Sequence, residues 1–108
     1  MKIYKGQKTG LGPFMVWVVD PGEIKASYRL RHIERHSSDG FNWGYGGSGP
    51  ADLALSILVD FAGWDFAEKN YQRFKSDIVA KAGQELMICD SMIEDWLYET
   101  MKKVLKKF

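Results

Sequence analysis

From Ala51 to Phe61 the chain runs Ala-Asp-Leu-Ala-Leu-Ser-Ile-Leu-Val-Asp-Phe, and its polar residues Asp52, Ser56 and Asp60 recur every fourth position. On a helix that spacing forms one narrow polar stripe, and the rest of the circumference is apolar, so the helix is mostly buried. Pro50 suits the first helical position because its missing N–H would be unpaired there anyway; Gly49 or Ser48 can cap it, with Asp52 favourable in the first turn. The longest apolar stretch, Leu53 to Phe61, is interrupted by Ser56 and Asp60 and falls far short of the roughly 20 residues of a membrane span.

Two more helices are expected after it. One opens with Asp65 as cap and Glu68 in capping-box position, presents Ala67, Tyr71, Phe74 and Ile78 on one face, and ends near Gly83. The other opens at Asp90 or Ser91, with Ser91 and Glu94 spaced as a capping box, and turns Ile93, Trp96, Leu97, Val104 and Phe108 to the core. Its lysines face water.

Upstream of Pro50 the signals are those of strands. Ile3 and Tyr4 begin an edge strand, and Phe14 to Val19 concentrate β-branched and aromatic residues before the turn tripeptide Asp20-Pro21-Gly22. Ile24 to Ile33 return as the hairpin partner. Phe41, Trp43 and Tyr45 alternate with Asn42 and Gly44 at period two, which predicts a short final strand. Strands first and helices afterwards give an α+β fold: a small N-terminal antiparallel sheet of 3–4 strands packed by three C-terminal helices. Residues 1–46 are expected to be mostly strands and loops, and residues 50–108 helical, in a single domain over 1–108.

Composition narrows the class. Apolar residues make up 45% and aromatics 14% of the 108 residues, enough to offset the entropy of ordering the chain. The N-terminus lacks the apolar core of a secretory signal, and the single Cys89 can form neither an internal disulfide nor a thiolate metal site; a cytoplasmic location is expected. Net charge is +1 but uneven: +4 over residues 1–36, −7 over 37–100 and +4 over 101–108. Such polarity attracts an anionic ligand to one part of a surface, or reflects ordinary solvated faces.

Two segments are candidates for binding. Residues 40–51 hold five glycines between a strand signal and a helix start. Glycines let backbone N–H groups approach a ligand, and the helix N-terminus adds unpaired donors and a partial positive charge, so Gly46, Gly47, Ser48 and Gly49 form a candidate anion site. The segment is neither a Walker loop nor a dinucleotide fingerprint. The bland alternative is that the glycines only permit tight turns beside Trp43 and Tyr45. The other segment is Tyr28 to His36, where Arg29, Arg31 and Arg35 would share one strand face, suited to phosphate or carboxylate, and His32 and His36 the other. No cysteine or carboxylate accompanies the histidines at metal-ligand spacing.

Catalytic groups are scarce. Ser48 is followed by Gly49-Pro50 and so lacks the nucleophile-elbow pattern. Cys89 beside Asp90 reads as filler rather than as a nucleophile, and Asp52, Asp60 and Asp65 as polar stripe and caps. No catalytic residue, metal or cofactor is expected. The lysine-rich end suits a helix dipole as well as any partner.

The run from His36 through Gly40-Phe41-Asn42-Trp43-Gly44-Tyr45-Gly46-Gly47-Ser48-Gly49-Pro50-Ala51 to Leu55 resembles a domain-of-unknown-function family of bacteria, bacteriophages and mobile elements. The similarity continues weakly through Tyr71 to Lys75, with Ser38 standing where the family usually shows proline and the C-terminal helix falling outside it. The resemblance implies a small cytoplasmic accessory protein and assigns no reaction and no catalytic residue.

The expected function is therefore non-enzymatic: binding and sequestering a phosphate-bearing small ligand, such as a nucleotide signal of host defence. In that reading Gly46, Gly47, Ser48 and Gly49 donate from the backbone, Arg29, Arg31 and Arg35 supply charge, and Trp43 or Tyr45 stacks on a base. The alternative is a protein that inhibits a host defence complex through its acidic helices; a small hydrolase or transferase ranks third. Direct nucleic-acid binding and membrane association are not expected, and a homodimer is a reasonable assembly.

Overall fold

The computed structural model describes residues 1–106. Four strands, β1 (Ile3–Gln7), β2 (Trp17–Val19), β3 (Tyr28–Arg29) and β4 (Glu85–Cys89), form one antiparallel sheet in the order β3-β2-β1-β4. The helices are α1 (Ser48–Ala62), α2 (Trp64–Asp77) and α3 (Asp90–Leu105). The fold is α+β, with the helices in the C-terminal part of the chain.

One strand breaks the expected run of helices. Glu85–Cys89 alternates outward and inward, with Leu86 and Ile88 buried and Glu85 and Met87 exposed, and it pairs with β1 from Ile3↔Cys89 to Gln7↔Glu85. β1 is therefore an interior strand rather than an edge. The period-two signal is only five residues long and its partner lies some eighty residues upstream, so nothing local distinguishes it from a helix-to-helix connection.

The N-terminal strands are shorter than their apolar runs. Only Trp17–Val19 of the Phe14 to Val19 segment joins the sheet, and only Tyr28–Arg29 of the return segment pairs with it, extended by Leu30 N–H donating to Val16 O at 2.8 Å. Ile24–Ala26 is a 3-10 turn. The expected strand at Phe41, Trp43 and Tyr45 reduces to one bridge, Phe14↔Phe41.

Side chains account for the rest. Tyr4, Val18, Leu86 and Ile88 project from one face of the sheet into a core shared with Leu53, Leu55, Ile57, Leu58, Phe74 and Ile93. Each such side chain contributes about 1.5–3 kcal/mol on burial. Ala51 to Leu58 are all buried, as the apolar circumference of α1 requires. On α2, Ala67, Tyr71 and Phe74 face the core. On α3, Ile93 and Trp96 do so, and Trp96 Nε1 donates to Asp77 at 2.9 Å while its ring meets Phe74 edge-on at 5.0 Å. Val104, expected in the core, is exposed, and Phe108 lies outside the described residues.

The helix starts also differ from expectation. α1 begins at Ser48 with Gly47 at its cap, so Pro50 is its third residue, still within the turn whose N–H groups have no intrahelical partner. α2 begins at Trp64 after Gly63, and α3 at Asp90 after Cys89; neither start carries a side-chain cap, so the Asp65 cap and the Ser91–Glu94 box do not form.

Candidate functional site

The polar stripe of α1 is the organising feature. Asp52 is fully buried, and a buried carboxylate without donors would be strongly unfavourable. Its Oδ1 accepts from His36 N–H at 2.9 Å, and its Oδ2 from Ser37 N–H at 3.1 Å and from the His32 ring at 2.8 Å, while Arg35 N–H is shared between both oxygens. One turn on, Ser56 Oγ accepts from Ile33 N–H at 3.0 Å. Two turns on, Asp60 accepts from Tyr4 Oη at 2.7 Å, from Lys2 Nζ at 3.1 Å and from Tyr28 Oη. The stripe thus pins β3 and the irregular segment that follows it, as far as Ser37, onto the helix.

These contacts set the charge states. Burial alone would raise both carboxyl pKa values. The donors outweigh it, His32 and the backbone N–H groups at Asp52, and Tyr28, Tyr4 and Lys2 at Asp60, and hold both carboxyls below the usual range. Burial and Asp60 together push the Tyr4 and Tyr28 hydroxyls upward. A carboxylate can only accept, so His32 donates from Nε2 to Asp52, and a neutral His32 ring must carry its lone pair on Nδ1.

His32 stands in a groove of about 730 Å³. The groove is formed by residues 11–16, by residues 29, 30 and 32, and by the loop 38–42, and Phe14, Arg29, His32, Asp39, Phe41 and Asn42 are among its lining. The His32 ring tilts against Phe41 with centroids 4.8 Å apart. Asp39 is the one acid in the lining, against the cation Arg29 and the titratable His32. Such a cleft, part aromatic and part polar, suits a planar ligand bearing negative charge.

The arginines named from the sequence do not converge. Arg29 lines the groove and its guanidinium approaches Met15 Sδ at 3.7 Å. Arg31 is exposed outside the groove lining. Arg35 pairs with Glu68 on α2 and lies 5.9 Å from the ring centroids of both Trp64 and Tyr71. The shared strand face fails because β3 ends at Arg29, and α1, not a neighbouring strand, takes the backbone N–H groups of Ile33 and of Arg35 to Ser37. His36 accordingly leaves His32 and meets Tyr71 Oη at 2.8 Å.

The glycine segment is explained largely by packing. Trp43 is wholly buried, its Nε1 donating to Gly83 O at 2.8 Å, so its ring has no free face for a base. Gly44 has φ +86°, donates to Val79 O at 3.0 Å, and leaves room for a Cβ only 3.0 Å from Ala82 O. A Cβ on Gly49 would lie 2.8 Å from Asn42 Cβ, so glycine is what lets the start of α1 sit against the loop. Tyr45, Gly46 and Ser48 are exposed and Gly47 half-buried, none of them in the groove lining. Lys8, not singled out in the sequence, reaches this loop: its Nζ donates to Trp43 O and sits 5.9 Å from the Tyr45 ring centroid.

The Asp52–His32 pair and the groove were not legible as a site. Their signal was the carboxylate on an otherwise apolar helix, which announces a buried acceptor in need of donors without naming them. Among the described residues no three His, Cys, Asp or Glu side chains gather as a metal set, and no helix is long and apolar enough to cross a membrane.

The fold and site define a small α+β domain in which loops beside the antiparallel sheet, one of them pinned to a carboxylate-striped helix, line a groove with one arginine and one anchored histidine. The chain belongs to the family of unknown function DUF6166, whose model matches residues 4–99. The match reaches through most of α3, beyond the segment that carries the motif resemblance. No curated protein sequence and no solved structure matches the chain.

Proposed function

We propose that this protein binds a phosphate-bearing small ligand, nucleotide-like in its chemistry, and holds it without converting it. The observation that carries the reading is the meeting of Arg29 and His32 in one groove whose other walls include Phe14 and Phe41. Arg29 offers a charged fork for an anion, His32 is held in place by the buried Asp52, and the partly exposed Phe14 provides apolar surface for a planar ring. This moves the ligand from the glycine segment to the groove, with Arg31, Arg35 and Trp43 left out of the contact set. Sequestration of a nucleotide signal of host defence is the biological role proposed with it, on the strength of the resemblance to phage-borne accessory proteins.

Isothermal titration with a panel of linear and cyclic nucleotides tests the reading. A member that binds should lose about tenfold or more in affinity with Arg29→Ala and with His32→Ala, since charge-assisted hydrogen bonds contribute about 1.5–3 kcal/mol each. Gly46→Ala should leave binding unchanged. Absence of binding across the panel would overturn the proposal and favour the protein-inhibitor reading, for which the exposed acids Glu94, Asp95 and Glu99 on α3 would be the contact surface.

A further inference from the structure

α3 has two unlike halves. Its first half is anchored: Ile93, Trp96 and Thr100 are buried, and the Lys2 and Asp90 backbones are tied by Asp90 N–H donating to Lys2 O and Lys2 N–H donating to the Asp90 carboxylate, each at 3.0 Å. From Met101 to Lys106 every residue is exposed.

That outer half is not polar all round. Tyr98, Met101, Val104 and Leu105 are 64%, 55%, 44% and 67% exposed, and Leu97 is partly so. Leu97, Met101 and Val104 are spaced by four and three, and Tyr98, Met101 and Leu105 by three and four, so the five side chains form one apolar seam beside the stripe that faces the body. Lys102 Nζ lies 5.5 Å from the Tyr98 ring centroid, and Met101, Val104 and Leu105 are exposed.

The charges on the same helix are split lengthwise. Residues 90–99 carry Asp90, Glu94, Asp95 and Glu99 with no base, and residues 100–106 carry Lys102, Lys103 and Lys106 with no acid. Asp95, Glu99, Lys102 and Lys106 follow one another at steps of four, three and four, in a row beside the seam with Lys102 nearest to it and Glu99 farthest round the helix.

We infer that the seam pairs antiparallel with the same seam of a second copy of this chain, about a two-fold axis near Met101. An isologous contact of this kind sets residue i against residue j whenever i and j are related by the axis. Met101 then meets its own counterpart, Leu97 of one copy meets Leu105 of the other, and Tyr98 meets Val104. The acid and lysine ends match lengthwise, one residue off that register: Asp95 of one copy comes within about 1.5 Å of the level of Lys106 of the other, and Glu99 within the same offset of Lys102. Within one chain Lys102 already reaches Glu99 at 3.9 Å, an exposed pair that the dimer would exchange at little cost.

Other occupants fit less well. A parallel pair sets acid on acid and lysine on lysine. An anionic membrane surface, or an acidic partner lying along the helix, would be attracted by the outer half and repelled by Asp95 and Glu99 on the same flank. From Leu97 to Leu105 the seam is only about 12 Å long, so the affinity should be micromolar rather than nanomolar.

Sedimentation velocity on the full chain tests this, over loading concentrations from about 1 to 200 µM, spanning the affinity expected for so small a contact. Wild type should pass from monomer to dimer. Met101→Glu, which places two like charges on the axis, should remain monomeric while keeping its far-UV circular dichroism and melting temperature. The double variants Lys102→Glu with Lys106→Glu, and Asp95→Lys with Glu99→Lys, should each be monomeric alone and form a one-to-one heterodimer when mixed. A wild type that stays monomeric throughout, a dimer that survives Met101→Glu, or charge variants that fail to find each other would overturn the proposal. A monomer that co-sediments with phosphatidylserine-containing vesicles would overturn it too and assign the seam to a membrane surface.

Discussion

The carboxylate of Asp52, wholly buried in α1, lies 2.8 Å from the ring of His32, twenty residues earlier in the chain. Around that contact the segment from Arg35 to Ser37 donates its backbone N–H groups to the same side chain. One residue therefore both closes the irregular connection onto the helix and fixes the histidine of the groove.

Asp52→Ala should be among the most damaging single changes. It leaves several buried donors without an acceptor, and breaking a buried charged contact by removing one partner costs about 3–5 kcal/mol. Urea unfolding gives the loss directly. Hydrogen exchange on a milder variant, Asp52→Asn, should quicken first at residues 32–37, where the anchors are lost.

Stability should fall at both ends of the pH scale. The folded-state pKa values of Asp52 and Asp60 are lowered, so their contribution is full above the unfolded carboxyl value of about 3.9 and is lost as pH drops through the lower folded value. The Tyr4 and Tyr28 values are raised, so their contribution is full below the unfolded phenol value of about 10 and is lost as pH climbs through the folded value. Asp60→Asn should flatten part of the acid limb in a pH series of unfolding free energies. An acid limb identical to wild type would contradict the assignment.

The glycines should separate by packing rather than by motif. Gly49→Ala drives a Cβ to 2.8 Å from Asn42 Cβ, and overpacking of this kind costs about 1–3 kcal/mol. At Gly46 nothing lies within 4 Å of the added carbon and φ is not left-handed, so Gly46→Ala should be neutral or stabilising by a few tenths to about 1 kcal/mol. Melting temperatures of the two variants, compared side by side, decide it.

Cys89, at the end of β4, should be more reactive than an ordinary thiol. The Ser91 hydroxyl, 3.0 Å away, and the Met92 N–H lower its pKa. Alkylation by iodoacetamide near neutral pH should slow in Ser91→Ala, with the pH of half-maximal rate moving upward. Equal rates would place the thiol among unperturbed ones.

Much of the architecture was legible locally. The period-four stripe of α1, the apolar spacing around Tyr71 and Trp96, and the β-branched run ending at Val19 each announce an element through the pattern of a few neighbouring residues. The candidate site was legible only in part: Arg29 and the strand before it were visible, but the splitting of Arg29, Arg31 and Arg35 was not, because a strand face was assumed where α1 captures the backbone instead. Trp43 looked like a stacking residue and is a core residue, since sequence shows that a ring is present and not which side of it is covered.

The number and order of the helices, the polar stripe and the turn at Asp20-Pro21-Gly22 were determined along the chain, because the relevant forces act between near neighbours; the helix ends were not, α2 stopping at Asp77 rather than near Gly83. The fourth strand, the interior position of β1 and the joining of His32 to Asp52 were decided only in three dimensions. β4 gains its ladder by pairing with Ile3–Gln7 at the other end of the chain, and Asp52 gains its donors from a segment that has no regular structure of its own. Both are closures between distant segments, whose stability depends on the core that they complete together.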